Sequence, residues 1–279
     1  MLLESLREDY GATGSGVVIE DVTGMNESIL DAEIAWNKII MEQVVTELNE
    51  EAGIVNESAG NFIDKIIQWF KDMISKIGNF IKDIFSKIVN NLRGIELKLK
   101  AMLKIAKAGN LKDENKTSIA ITAQDVNLKE FATKNAELFN TVNTIFEKRD
   151  GIDEVETSLK KSADEISKLL TVKSKNITYS SDRAVGIIST VLGNVMAVSK
   201  AKGLLNANIK AAQKGNSLAA KLKSGMKKDK TEYDEIKITR KIVSIANTYT
   251  TKFINYDVKQ IKIQFKICRS IITLFKKEA

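Results

Sequence analysis

The hydrophobic positions that follow residue 61 recur in three consecutive blocks of eleven residues. The blocks read IDKIIQWFKDM, ISKIGNFIKDI and FSKIVNNLRGI. Eleven residues make three helical turns at about 3.67 residues per turn, so the same face recurs with little drift. The pattern predicts an amphipathic helix with Lys, Asp, Asn and Ser opposite its apolar face. That face is the first candidate surface for a partner or a membrane, and it comprises Phe62, Ile66, Trp69, Phe70, Met73, Ile77, Ile81, Ile84, Phe85 and Ile88.

A second amphipathic helix is predicted immediately upstream, from Asn26 or Ser28 to about Glu51. It is acidic, whereas the repeat helix is basic. Antiparallel packing of the two helices would bury both apolar faces and would bring opposite charges together along their flanks. We therefore expect the acidic helix to cover the repeat. The alternative is that the Lys-rich, aromatic repeat lies on a membrane surface, where interfacial helices have this composition.

The rest of the chain also favours helices. The repeat helix is predicted to continue to Gly109. A further helix is predicted over about 127–148, with Asp125 as its N-cap, and another over about 155–172. Residues 184–199 carry no charge but fall short of the roughly 20 residues that span a bilayer, which favours a central buried helix. SIAIT at 118–122 alternates as a strand does, although a single strand is a weak prediction in a helical chain.

The last segment, 232–277, contains neither Gly nor Pro and has its own apolar seam. The seam follows alternating steps of four and three residues, which is a heptad pattern. IKIQFKI at 261–267 also alternates every second residue, so a strand stays open there, but the length of the segment favours a helix. The seam consists of Ile254, Val258, Ile261, Phe265, Cys268, Ile272 and Phe275.

Together these elements predict an all-α fold, an elongated helical bundle of long amphipathic helices that ends in a long C-terminal helix. The chain has no Pro, where average usage would give about 14, and this fits uninterrupted helices. We divide the chain into an acidic N-terminal arm and helix at 1–60, the basic repeat helix at 61–110, a helical body at 111–230 and the basic C-terminal helix at 231–279.

The composition excludes most familiar catalytic sites. There is no His, which removes the commonest general base and metal ligand near neutral pH. The single cysteine, Cys268, lies in the apolar seam and is predicted to be a core residue. Acidic pairs such as Asp153 and Glu154 stand in polar surroundings typical of solvated helix ends and not of a catalytic pair. We therefore expect no enzymatic activity, no cofactor, no metal site and no small-molecule substrate. The N-terminus does not resemble a secretory signal, and no run of 18 apolar residues predicts an ordinary membrane span.

Charge divides the chain unequally. The net charge is +7, yet residues 1–60 hold thirteen acidic and two basic side chains. Three interpretations stay open: an acidic arm docked on its own basic body, a segment removed by processing, or a basic body that faces an anionic partner. Aromatic residues do not alternate with the lysines, so any nucleic-acid contact would be to phosphates and independent of base sequence. The candidate anion contacts are Lys98, Lys100, Lys104, Lys107, Lys227, Lys228 and Lys230.

NESILDAEIAWNKIIMEQVVTELNEE, followed by NFIDKIIQWFKDMISKIGNFIKDIF, resembles helical virion structural proteins of large tailed bacteriophages of low-GC Gram-positive hosts. The shared features, over residues 26–110, are an acidic leading helix with an Asn-Glu-Ser start, a Lys/Ile/Phe helix and a Lys/Asn-rich helical body. The resemblance implies a multi-copy structural or internal virion component without catalytic activity, made in the host cytoplasm. Its implied partners are further copies of itself and other virion proteins. The alternatives are a membrane-active helical protein, either pore-forming or ejected during genome delivery, and a packing protein that contacts DNA without sequence specificity.

Overall fold

The computed structural model describes residues 59–224 and 230–276. The all-α class and the long C-terminal helix are confirmed, with one two-stranded sheet in addition among these residues. The helices are α1 (Ala59–Asn79), α2 (Ser86–Ala108), α3 (Leu128–Thr144), α4 (Ile152–Leu170), α5 (Ala184–Val198), α6 (Ala201–Lys223) and α7 (Lys230–Ile272), and the strands are β1 (Ser118–Gln124) and β2 (Ser174–Ser180). Short 3₁₀ turns at Ile145–Glu147 and Ser181–Arg183 follow α3 and precede α5.

The long C-terminal helix α7 is the centre of the molecule. It has 43 residues, a length of about 65 Å at 1.5 Å per residue. It packs against α2, α3, α4, α5, α6 and β1. The heptad seam is buried from Ile254 to Cys268, and 261–267 is helical, so the helical interpretation of that stretch is confirmed. Cys268 is fully buried, which raises the pKa of its thiol to about 12.

Two long antiparallel rods pack on one another beside α7. The first is α1 followed by α2, and the second is α5 followed by α6. Because α1 packs on α6 while α2 packs on α5, the rods run in opposite directions. The other two helices, α3 and α4, form a hairpin whose members pack on each other and on α7. Tyr256 of α7 fixes this hairpin, since its hydroxyl donates a hydrogen bond of 3.0 Å to the carbonyl of Ala163.

A π-helical turn, Phe80–Phe85, joins α1 to α2 and changes the predicted periodicity. The buried positions of α1 follow heptad steps that end at Phe80, and the heptad resumes at Phe85, one residue late. Ile81 and Ile84, which the eleven-residue pattern places on the apolar face, are only half-buried. The eleven-residue period is therefore wrong as a description of the core. A π turn inserts one residue and thereby corrects the drift that a heptad seam accumulates along a straight helix.

The apolar face of α1 is covered by α6, a partner that the sequence did not predict. The predicted acidic helix, 26–51, lies outside the described residues. The contact brings large side chains of α1 against small ones of α6. Phe70 is fully buried, and its ring lies directly over Gly215, while Ala212 and Ala219 flank the same buried stripe of α6. Small residues let the two helix axes approach closely enough for the aromatic ring to fill the gap.

The uncharged helix α5 is peripheral, which corrects the prediction that it is the central buried helix. Its buried residues form a single stripe that includes Ile188, Val191 and Val195. Gly186, Gly193 and Met196 on the other side are exposed. The centre is instead α7, which is amphipathic in sequence yet packed on nearly all sides. Hydrophobicity alone led to the wrong position for α5, because it indicates how readily a segment leaves water and not how many other helices pack around it.

The two short extended pieces pair into an antiparallel ribbon, so SIAIT is not a lone strand. β1 and β2 align with Ile121 opposite Ile177. The pieces are far apart in sequence, which is why local alternation did not disclose the pairing. After β1 the cap of α3 is Asn127 and not the predicted Asp125. The side chain of Asn127 accepts a hydrogen bond from the backbone N–H of Glu130, which caps the helix, and its amide donates one to the Glu130 carboxylate.

Polar side chains lie inside the bundle along α7, and each bonded pair joins α7 to a different helix. Asn135 of α3 donates to Asp257 at 2.7 Å, and Asn194 of α5 donates to Gln260 at 3.0 Å. Asn208 of α6 donates to the carbonyl of Val243 at 3.2 Å. Such pairs stabilise a bundle in only one register, because a slip would leave buried polar groups without partners. They therefore specify how α3, α5 and α6 seat on α7.

Candidate functional site

The apolar repeat face is part of the core of this chain. Ile66, Trp69, Phe70, Met73, Ile77, Phe85 and Ile88 are buried, while Phe62, Ile81 and Ile84 are half-buried. Trp69 shows how closed the face is. Its ring stands edge-on to Phe70 with centroids 5.0 Å apart, and the guanidinium of Arg240 from α7 lies 5.0 Å above it. Any membrane or partner that used this face would first have to separate α1 from α6.

The outer side of α2 carries the first group of exposed cations. Helix α2 has six basic residues and a single acidic one, Glu96, which pairs with Lys100 at 2.6 Å. Lys104 and Lys107 are exposed and Lys98 is half-buried. We call the exposed cations of this helix the α2 basic stripe, and they are Lys87, Arg93, Lys100, Lys104 and Lys107. The other predicted anion contacts, Lys227 and Lys228, lie outside the described residues, as does the side chain of Lys230.

Helix α6 presents a second basic surface that we did not single out from the sequence. Lys202, Lys210 and Lys221 are exposed and have no ion-pair partner among the described residues, and we call them the α6 lysine stripe. They extend over about 28 Å at 1.5 Å per residue. The signal was present in the sequence, because residues 184–224 contain six lysines, no acidic residue and no aromatic residue.

Neighbouring ion pairs show which lysines of α6 are already neutralised. Lys214 binds Glu235 of α7 at 2.8 Å, and this hydrogen bond lowers the pKa of that carboxyl. Lys223 binds Asp64 of α1 at 2.5 Å. Both pairs are exposed, so they neutralise two charges of α6 but contribute little stability. The stripe residues face outward, so their charges act on the solvent and on whatever approaches it.

The hairpin of α3 and α4 has a different electrostatic character. Residues 128–170 hold seven basic and nine acidic side chains. Lys134 joins the two helices through Glu165 at 3.0 Å, and this contact raises the pKa of the lysine and lowers that of the glutamate. Exposed pairs of this kind contribute little stability. They do cancel the local field, so this hairpin lacks the excess of positive charge that α2 and α6 carry.

Neutral polar side chains are also exposed between the stripe lysines of α6. Asn206, Gln213 and Ser217 are among the exposed residues that separate them. Without aromatic side chains the surface has nothing on which bases could stack, and lysine ammonium groups act as point charges toward phosphates. The arrangement therefore suits electrostatic contact with a polyanion of regular charge spacing. Within the described ranges, no three acidic or cysteine side chains converge in a way that could hold a metal ion.

The uncharged outer face of α5 is a further surface that no described residue covers. Ser181–Lys223 is, within the described part, the one helical stretch long and apolar enough to cross a membrane. Its most apolar window has a mean hydropathy of 1.5 and is 33% buried. We predicted no ordinary span because no run of 18 apolar residues exists, and this window qualifies only through neutral polar residues. Met196, 58% exposed, is its most accessible large side chain.

Comparison with protein-family models, with curated proteins and with solved structures finds no match to this chain.

Proposed function

We propose that this chain is a non-enzymatic structural or internal protein of a bacteriophage particle that contacts DNA through the α6 lysine stripe and the α2 basic stripe. The observation that carries the proposal is the exposure of three lysines, without an ion-pair partner among the described residues, on a helix that has no acidic residue. A surface of this kind gains its binding free energy from counterion release when lysines replace the ions condensed on phosphates. Base sequence has no part in such a contact.

The dimensions suit duplex DNA. The α6 lysine stripe extends over about 28 Å, which corresponds to the rise of about eight base pairs at 3.4 Å each. Since the rods are antiparallel, the α2 basic stripe lies toward the other end of the same rod pair and provides a second basic surface. A rod with two such stripes can lie along a duplex or bridge two neighbouring duplexes. Both arrangements suit a protein that packs beside condensed DNA.

The first test is the salt dependence of DNA binding by the full-length chain. Fluorescence anisotropy with two 20-base-pair duplexes of unrelated sequence should give equal affinities. Neutralisation of three to five phosphates should give a slope of about −3 to −4.5 for log affinity against log salt. Affinity that does not change with salt, or that differs more than tenfold between the duplexes, would contradict a phosphate-driven contact.

The assignment to a virion is supported by the resemblance of residues 26–110 to helical virion proteins of tailed phages. In such a particle the partners are further copies of this chain and other virion proteins. Self-association is therefore part of the proposal, and light scattering measures it directly. A strict monomer up to high micromolar concentration would count against a multi-copy structural role, although it would leave the DNA contact intact.

A membrane-active role is the second candidate, and the exposed face of α5 is the observation that favours it. A helix with an apolar window of which only 33% is buried could enter a bilayer once α5 leaves both α2 and α7. The lysines of α6 would then remain at the level of the lipid head groups, where cations are attracted to anionic lipids. This role would need a large rearrangement of the rod pair.

Vesicle flotation separates this candidate from simple charge attraction. If α5 inserts, the full chain should float with vesicles of phosphatidylglycerol and phosphatidylcholine at 0.5 M salt, and Met196→Glu should abolish the effect. Leu97→Glu is the matched control, since Leu97 is the other exposed large apolar residue of the described surface. Flotation that disappears with salt, or an equal loss in both variants, would refute insertion through α5.

A further inference from the structure

We infer that the acidic segment 42–57 docks on the α6 lysine stripe of its own chain and competes there with DNA. The inference concerns the regulation of the surface described above, so its functional meaning rests on the proposed DNA contact. The docking itself can be tested without DNA. Three observations carry it: the position where the arm joins the bundle, the charge of segment 42–57, and the unpaired lysines that it would meet.

The arm joins the bundle beside the end of the α6 lysine stripe. Helix α1 begins at Ala59, and Asp64 in its first turns binds Lys223 at the end of α6. Ala59 lies five residues before Asp64 and Lys221 two residues before Lys223, so about 10 Å along the helix axes separates the start of α1 from Lys221. An extended chain covers about 3.3–3.6 Å per residue, so eight or nine residues suffice to follow the stripe from Lys221 to Lys202. The arm has far more than that length.

The charge of the segment complements the stripe. Residues 42–57 contain five acidic side chains and no basic one. The acids are Glu42, Glu47, Glu50, Glu51 and Glu57. The stripe offers three exposed lysines without partners in the described part, on a helix with no carboxylate of its own to compete. A covalent tether gives such a pair an effective concentration in the millimolar range, so even weak contacts are populated.

The consequence is a basic surface that is masked by its own chain. The arm would take the place of the phosphates and would lower the apparent affinity for DNA until it is displaced or removed. Because the contact is electrostatic, salt weakens the docking as it weakens DNA binding. Self-docking of this kind would keep the protein from gathering on nucleic acid before assembly.

The experiment uses the full-length chain and a variant in which Glu42, Glu47, Glu50, Glu51 and Glu57 are all changed to Gln. A control variant carries five charge-neutralising changes outside the arm, Glu114→Gln, Glu147→Gln, Asp150→Asn, Glu154→Gln and Asp164→Asn, so that both variants reach the same net charge. All five control positions are exposed in the structure. The first readout is carbodiimide cross-linking at low salt, mapped by mass spectrometry.

We expect amide cross-links from segment 42–57 to Lys202, Lys210 or Lys221 in the wild-type chain, and their loss at 0.5 M salt. A mixture of isotope-labelled and unlabelled protein should show that they are intramolecular. Cross-links that lead mainly to α2, that join two molecules, or that do not form would overturn the inference. The second readout is the affinity for a 20-base-pair duplex, which should rise about tenfold or more in the arm variant and less than twofold in the control.

The two readouts separate the docking from the function. Intramolecular cross-links together with no DNA binding by any variant would retain the docking and refute the proposed DNA contact. DNA binding that is equal in wild type and arm variant, without cross-links, would retain the DNA contact and refute the docking.

Discussion

Gly215→Ala is expected to lower the free energy of unfolding by about 2 kcal/mol, although Ala is the better helix former. A methyl group on Gly215 would overlap the ring of Phe70, with Cζ, Cε1 and Cε2 all far inside van der Waals contact. Phe70 is fully buried between α1 and α6 and has no free space to move into. The rods would have to separate locally, and this separation costs packing along the whole contact.

The matched control is Gly94→Ala in the middle of α2, where a methyl group meets nothing within 4 Å. That change should raise the free energy of unfolding by about 0.5–1 kcal/mol. Chemical denaturation of both variants measures the change in the free energy of unfolding, which should be negative for Gly215→Ala and positive for Gly94→Ala. In a Phe70→Leu background the cost of Gly215→Ala should shrink, because the overlapping ring is gone. Equal effects of the two glycine changes would show that α1 and α6 do not approach as closely as described.

Asp257→Asn is expected to stabilise the protein at neutral pH, on the order of 1–3 kcal/mol. Burial raises the pKa of Asp257 well above its usual value, and the hydrogen bond from Asn135 only partly offsets this. The second carboxyl oxygen has no hydrogen-bond partner among the described residues. An asparagine keeps the oxygen that accepts from Asn135 and carries no charge to bury.

The pH dependence has a definite sign. An aspartate titrates near 3.9 in the unfolded chain, whereas in the folded chain Asp257 holds its proton to higher pH. Between these two pKa values the folded state binds more protons, so wild-type stability falls as pH rises above about 4 and levels off above the folded pKa. The difference between wild type and Asp257→Asn should therefore grow from pH 4 toward pH 7. A surface change such as Asp150→Asn should shift stability by less than about 0.5 kcal/mol throughout. A variant less stable than wild type at pH 7 would mean that the interior solvates the carboxylate.

Local sequence patterns predicted the helices well because the spacing of apolar residues within a segment indicates which of its faces is buried. Residues 232–277 carry a heptad seam, and α7 buries it. The same patterns could not give the partners of each face. The repeat of α1 is complementary to the small residues around Gly215, yet that match joins two distant parts of the sequence. The ribbon of β1 and β2 is another non-local pairing, since each strand alone has only weak alternation.

The basic surfaces, too, could be predicted from the sequence only in part. Lys104 and Lys107 belong to a visible cluster, and they are exposed on α2. Lys202 and Lys210 are separated by an uncharged stretch and form no cluster in the sequence. They lie on one exposed surface of α6, from which Lys214 and Lys223 differ in being paired with acidic partners on α7 and α1. Which lysines are neutralised depends on tertiary contacts and could not be derived from spacing.

The most direct test of the DNA contact compares two triple variants of the full-length chain. One changes the α6 lysine stripe, Lys202→Gln, Lys210→Gln and Lys221→Gln. The other changes three exposed lysines of the α3–α4 hairpin, Lys129→Gln, Lys160→Gln and Lys161→Gln, and so removes the same net charge. For a 20-base-pair duplex we predict that the stripe variant loses at least tenfold in affinity and that its salt slope becomes shallower by about 2.7. The hairpin variant should change by less than twofold. Equal losses in both variants, or none in the stripe variant, would contradict the account.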